Sequence, residues 1–211
     1  MIFANRVDAG RRLAERLEGY RSPETIVLAV PRGGVVVGYE VARALNVPLD
    51  VTVPRKIGAP GQPELAIGAV GDDVVVLDQS AISYLNVREE YLRDEIARQK
   101  AEIERRMRLY RGDKPFPDLA GKTVILVDDG MATGATTLAA ARAVRERNPG
   151  KLVLAVPVAP PESVAKLRPE VDEIVVLETP EPFFAVGSWY TIFDQTTDEE
   201  VIDLLSRAES S

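Results

Sequence analysis

Apolar residues in this chain gather into short runs with amphipathic stretches between them. Ile26 to Val30, Leu49 to Val53, Val124 to Val127, Leu152 to Val158 and Ile174 to Leu177 are short and rich in β-branched side chains, so each reads as a strand. The stretches between them carry helical spacing. Ala9, Leu13 and Leu17 share one face of an N-terminal helix of about 14 residues that stops near Gly19. Val35 to Leu45 continues as a helix out of Gly33-Gly34, and an Ala-rich helix runs from Thr137 to about Arg147. Mostly apolar strands alternating with helices predict a parallel sheet covered on both faces. Ligands of such sheets bind at the carboxyl ends of the strands, which directs attention to the loops after positions 30, 53, 127 and 158.

One segment breaks the alternation. Ala66 to Val70 and Val74 to Leu77 flank Gly71-Asp72-Asp73 in a hairpin pattern. Beyond it, Leu92, Ile96, Ile103, Met107 and Tyr110 mark one face of a long helix from Arg88 to Arg111, expected to serve as a packing or subunit-interface element. Pro157 to Pro161 and Pro180 to Pro182 read as turns, and Glu199 to Leu205 as a terminal helix.

Composition narrows the chemistry. The 211 residues are 45% apolar and 28% charged, and a chain of this length buries roughly 70% of its unfolded surface without disulfides or a structural metal. It contains no His and no Cys. Imidazole and thiolate metal sites, His general bases and Ser-His-Asp or Cys-His triads are therefore excluded. Carboxylates, Arg, Lys, hydroxyls, backbone amides and bound ions remain. A formal charge of −7 with no long basic block is the wrong footprint for a nucleic-acid binder. No run approaches the roughly 20 apolar residues of a membrane span and the start has no signal-peptide pattern. The expectation is a cytoplasmic protein that engages neither nucleic acid nor membrane.

The densest chemistry lies in Val124-Ile125-Leu126-Val127-Asp128-Asp129-Gly130-Met131-Ala132-Thr133-Gly134-Ala135-Thr136-Thr137. Here a buried strand delivers two adjacent carboxylates, and a loop rich in Gly and Thr then opens a helix. Inward-pointing amides, the helix N-terminus and Thr hydroxyls suit a phosphate dianion. The two acids suit neutral hydroxyls or a divalent cation carried in with the ligand, so the combination describes a sugar phosphate. No Lys follows Gly134 as a Walker loop requires, and the glycines stand after the wrong strand for a dinucleotide fingerprint.

Val124 to Thr136 resembles the phosphoribosyl-pyrophosphate (PRPP) motif of type I phosphoribosyltransferases. The likeness extends over nearly the whole chain, through Phe3-x-x-Arg6-x-x-Ala9-Gly10 near the start and Tyr190-x-x-Phe193-x-Gln195 near the end. It implies an α/β fold with a three-layer α/β/α core around a central parallel sheet. It further implies one domain over residues 1–211, with a core at about 20–160, an inserted hairpin and long helix at about 57–118, and a hood at about 178–211 that includes the N-terminal helix.

The same resemblance assigns roles. Asp128 and Asp129 would contact the ribose hydroxyls and lie near Mg²⁺, directly or through water, while Gly130, Met131, Ala132, Thr133, Gly134, Ala135 and Thr136 would hold the 5′-phosphate. Ala135 stands where the family usually has a second Gly. Arg32, Gly33 and Gly34 would bind pyrophosphate at a turn that in the family often contains a non-proline cis peptide. Independently, two glycines before a helix form an anion nest and Arg32 adds a guanidinium fork. Arg55 and Lys56 would open the flexible catalytic loop and neutralise departing pyrophosphate. Phe184, Trp189 and Tyr190 are candidates for an aromatic platform under the acceptor base, with a satellite core under the terminal helix, Glu199 to Leu205, as the competing reading.

The implied activity is transfer of the 5-phosphoribosyl group of PRPP to a nitrogenous base with release of pyrophosphate, Mg²⁺ being the cofactor. PRPP and a small base or its nucleotide are the implied partners, and a homo-oligomer is compatible. The alternative is a non-catalytic sensor of PRPP or a nucleotide on the same fold. Hydrolysis or phosphatase chemistry through Asp128 fits less well beside a phosphate cradle.

Overall fold

Five parallel strands form the central sheet: β1 (Thr25–Ala29), β2 (Leu49–Val51), β6 (Thr123–Val127), β7 (Lys151–Val158) and β8 (Glu173–Glu178), in the order β2-β1-β6-β7-β8. The computed structural model describes residues 2–71 and 74–210. Asp72 and Asp73 of the expected hairpin turn lie outside the described residues.

Strand periodicity explains the layers. Val27, Ala29, Ile125, Val127, Val153 and Ala155 point to one side, into a core shared with α1 (Arg6–Arg16), α2 (Gly33–Leu45) and α7 (Asp198–Glu209). Leu28, Val124, Leu126, Leu152 and Leu154 point to the other, against α5 (Ala135–Arg145) and α6 (Pro161–Leu167). A sheet buried on both faces needs strands with no polar side, as the sequence shows.

The sheet order creates the site. The chain leaves β1 toward β2 on one side and β6 toward β7 on the other, although β1 and β6 are neighbours with Ala29 opposite Val127. That reversal is a topological switch point, where the loops at the strand ends diverge and open a crevice.

A second, antiparallel sheet comprises β3 (Arg55–Ala59), β4 (Gln62–Val70) and β5 (Val75–Leu77). The sequence pattern predicts only the end of β4 and β5, with a Pro- and Gly-rich loop in place of β3. The punctuation is absorbed by irregular register on both sides of Gly58, where a Cβ would lie 2.6 Å from the Pro63 carbonyl oxygen, and by Gly61 at φ +72° in the turn. Two short helices also escape the pattern: α3 (Gln79–Tyr84), and α6, which follows prolines that read as a turn. In α6 the proline occupies the first turn, where its missing N–H costs nothing. The long helix α4 (Glu89–Arg111) matches expectation and buries Leu92, Ile103 and Tyr110 in the main core. Among the described residues no helix is long and apolar enough to cross a membrane.

Candidate functional site

At the end of β6 the chain turns through Asp128 and Asp129, both half-buried. The Asp129 amide donates to Asp128 Oδ1 at 2.8 Å, fixing the first carboxylate against the second residue's backbone. Asp129 Oδ2 accepts from Arg6 Nε at 2.7 Å. Arg6 also donates to the Asp194 carbonyl at 2.6 Å, and its guanidinium lies 3.9 Å from the centre of the Phe193 ring. The Tyr190 hydroxyl donates to the Asp129 carbonyl. The acid pair is thus held from its own loop, from the start of α1 and from the C-terminal segment.

The loop after β1 closes on this pair from across the switch point. The Pro31–Arg32 peptide is cis, as the resemblance leads one to expect, and Gly33 begins α2. A Cβ on Gly33 would lie 2.0 Å from Asp129 Oδ2 and 2.5 Å from Arg6 Nε, and one on Gly34 would lie 3.0 Å from Asp128 Cα. Only glycine lets this backbone approach the acids so closely.

Charge in this corner is unevenly satisfied. Burial, then the neighbouring Asp129 charge, pushes the Asp128 carboxyl above its usual range, while Arg6 pulls the other way. Burial beside the acids also raises the Tyr190 phenol, which stays a hydrogen-bond donor. Two acids held together, with one guanidinium on the second of them, leave Asp128 in need of a hydroxyl donor or a cation.

Past the acids, the loop is braced from behind. The Met131 amide donates to the Val158 carbonyl at 2.9 Å, the Ser163 hydroxyl of α6 donates to the Ala132 carbonyl, and Gly134 sits at φ +74° against Leu167. Gly130 fits beneath Val186, whose Cγ1 would lie 2.5 Å from a Cβ there. Bracing at the back leaves the front free: Thr133 is exposed, Thr136 is half-exposed, and α5 starts at Ala135 with first-turn amides that no helix carbonyl can satisfy. Such a turn can receive a phosphate dianion.

The structure places Gly33 and Gly34 against Asp129 and Asp128 at the switch point, and the Gly130–Thr136 loop follows the acids directly. The adjacent bases Arg55 and Lys56 begin β3 and both line a small pocket of about 200 Å³ against α4, but their partners differ. Lys56 lines a cleft of about 620 Å³ together with Thr133, Ala135 and Thr136, and pairs with Glu64 at 2.7 Å. Arg55 faces α4 and donates to Gln99 Oε1 at 3.0 Å; burial, then the Arg106 charge, lowers its pKa. Arg32 reaches toward Asp198 at the start of α7, 4.0 Å away.

The three aromatic candidates also part company. Phe184 is 85% exposed and Trp189 is half-buried. Tyr190 is enclosed, its ring centre 5.4 Å from that of Phe3 and 4.9 Å from that of Phe193, so it supports Asp129 from beneath. A satellite core does form, between the N-terminal segment and residues 183–193, but not under the terminal helix as expected, because Val201 and Leu205 of α7 pack into the main core. Sequence reasoning gives no role to Arg6 or Ser163. The Phe3-x-x-Arg6 spacing is the sole signal for Arg6, and nothing in it points to a partner 123 residues away.

A doubly wound sheet with two Gly-rich turns and an acid pair at its switch point has the architecture in which ligands bind outside the carboxyl ends of the strands. The chain belongs to the phosphoribosyl transferase domain family, which matches residues 1–188. A Mycobacterium tuberculosis protein provisionally named a phosphoribosyl transferase is 44% identical over 208 residues, 98% of this chain and 47% of that protein. The chain thus spans about half the length of the curated relatives it matches. A crystal structure of a Thermus thermophilus protein is 45% identical with a TM-score of 0.83, covering 98% of this chain and 99% of that one. A hypoxanthine-guanine phosphoribosyltransferase from Bacillus anthracis shares the fold at 15% identity and a TM-score of 0.51, covering 86% and 83% of the two chains.

Proposed function

We propose that this protein binds PRPP at the switch point and transfers its 5-phosphoribosyl group to a ring nitrogen of a small base. The observation that carries the reading is the contact between the two loops. Gly33 and Gly34 lie against Asp129 and Asp128, so a diphosphate on the first loop and a ribose on the acids would be neighbours, as they are in PRPP.

The acid pair suits Mg²⁺ in one specific way. Two adjacent carboxylates are hard oxygen donors, and among the described residues no group of three or more acids gathers to form a cage. Mg²⁺ commonly takes one or two carboxylates and completes its shell with water and substrate oxygens. Asp128 and Asp129 would hold it in company with the ligand, where it offsets the charge of the diphosphate. The other parts are the chain's own. Thr133, Thr136 and the amides of α5 hold the 5′-phosphate, Asp128 and Asp129 accept from the ribose hydroxyls, and Arg32 turns from Asp198 to the diphosphate. Lys56 adds charge from the ribbon side of the crevice, while Arg55 acts through its bond to Gln99, which sets the ribbon on α4.

The C1′–O bond to pyrophosphate breaks with its electron pair leaving on oxygen, and C1′–N forms to the base. The proton released by the acceptor nitrogen passes to a carboxylate, to water or to pyrophosphate. Positioning and stabilisation of the leaving charge supply the rate, so the absence of His is no obstacle. Phe184 and Trp189 are the aromatic faces left for an acceptor on the hood side.

Incubation with Mg²⁺, PRPP and a panel of purine and pyrimidine bases should release pyrophosphate with at least one base. Tight PRPP binding with no turnover for any base would sink the transferase reading and leave the sensor.

A further inference from the structure

The phosphate loop does not close off the crevice at its far end. The cleft of about 620 Å³ takes in Thr133, Ala135 and Thr136 but not the acid pair, and lies between the antiparallel sheet and α5, with Lys166 reaching it from α6. Its size falls within the range of small-molecule sites, far beyond what one phosphate group occupies. Leu65, Ala69, Leu77 and Leu138 wall it with apolar surface, which strengthens any charge interaction made inside.

Its charged residues are mostly spoken for. Arg142 is locked to Glu170 by two hydrogen bonds of 3.0 and 2.6 Å, Asp78 caps α3 by accepting from the Ala81 amide, and Glu64 pairs with Lys56. Lys166 is the exception. It extends from α6 into the cleft and has no ion-pair partner among the described residues, while Ser163 and Leu167 of the same helix brace the phosphate loop. The Glu64 side chain is 92% exposed, so its hold on Lys56 is a solvated pair that an arriving anion can displace at little cost.

We infer that the cleft is a second anion subsite continuous with the 5′-phosphate loop. It takes a nucleoside 5′-diphosphate with the α-phosphate on Thr133 and Thr136 and the β-phosphate between Lys56 and Lys166. The inference rests on the reading of that loop given above. PRPP, with a single phosphate at its 5′ end, would engage Lys56 and leave Lys166 without a partner. A nucleoside 5′-diphosphate would fill the subsite and occupy the 5′-phosphate position as well, which makes it an inhibitor competitive with PRPP.

Titration calorimetry without divalent metal, using the 5′-mono- and 5′-diphosphates of adenosine, guanosine and uridine, tests this directly. At least one nucleoside should bind about tenfold more tightly as the diphosphate. Adenosine 3′,5′-bisphosphate, with an additional phosphate placed elsewhere, should show no such gain over the 5′-monophosphate. Lys166→Met should abolish the diphosphate gain and leave monophosphate affinity unchanged. Equal affinity for mono- and diphosphates, an equal gain for the 3′,5′-bisphosphate, or a gain that survives Lys166→Met overturns the subsite alone. Failure of every 5′-nucleotide to bind overturns the phosphate-loop reading, and the subsite with it.

Discussion

The two sheets of this protein bring charge to the crevice in opposite ways. On the parallel sheet, Asp129 is fixed from distant parts of the chain, by Arg6, itself anchored on the Asp194 carbonyl, and by Tyr190, and its amide in turn holds Asp128. On the antiparallel sheet, Lys56 has one solvated partner eight residues away, and the first half of β4 is exposed. Fixed dipoles and charges serve best where geometry must not change, and a loosely held lysine serves where a ligand has to enter and leave. The parallel sheet sets position, and the ribbon supplies adjustable charge.

The largest effect should come from removing the fixed acids. Asp128→Asn together with Asp129→Asn replaces charged acceptors for the ribose hydroxyls, each worth about 1.5–3 kcal/mol, so PRPP affinity should fall by a hundredfold or more. The fold should persist, because the change also removes the repulsion that raises Asp128. Calorimetry with PRPP, beside a thermal melt, checks both halves. Unchanged affinity in a folded variant would refute the assignment of the pair.

How much of this contrast the sequence shows depends on the distance over which each feature is encoded. The acid pair and its loop are consecutive residues at the end of an apolar run, so local pattern and family resemblance reveal them together. β3 is hidden because Gly58, Pro60, Gly61 and Pro63 look like loop punctuation, although Gly58 and Gly61 serve the bulged turn that permits the hairpin. The different partners of Arg55 and Lys56 follow from that strand and its hairpin and cannot be read without them. Arg6 and Tyr190 lie beyond local reading altogether. Their partners are 123 and 61 residues distant, and Tyr190 carries the same aromatic signal whether it stacks on a ligand or supports a loop.

Next in size is the clamp itself. Arg6→Met removes a two-ended anchor that is only 12% exposed and leaves the Asp129 carboxylate without its cation. Stability should fall by about 1–3 kcal/mol in urea titrations, and PRPP affinity should fall with it as the acids lose their alignment. A variant as stable as the parent would show that the acids are held by their loop alone, which would dissolve half of the contrast between the sheets.

Lys56 and Arg55 sharpen the other half, since adjacent residues should fail in different ways. Lys56→Met should weaken PRPP binding about tenfold, the loss of one charge-assisted contact, with stability changed by no more than about 0.5 kcal/mol. Arg55→Met should cost about 1 kcal/mol of stability by releasing Gln99, with PRPP affinity nearly intact. The same phenotype from both variants would mean that their different partners have no functional consequence.

The smallest effect concerns the joint that holds the C-terminal helix near the first loop. Tyr110 of α4 donates to Asp198, the residue that also faces Arg32, and burial, then this hydrogen bond, pushes the phenol up to about 12. A phenol raised in the folded state gives stability that is complete below its unfolded value near 10 and is lost as pH climbs through 12. Tyr110→Phe should therefore be about 1 kcal/mol less stable at neutral pH, where the hydrogen bond is intact in the parent. Its stability should then decline less steeply between pH 10 and pH 12, because one fewer folded-state phenol resists ionisation. Urea midpoints of the two proteins should converge over that window. Parallel curves would mean that Tyr110 packs against α7 without holding Asp198, and that Arg32 faces an acid whose position depends on the helix cap alone.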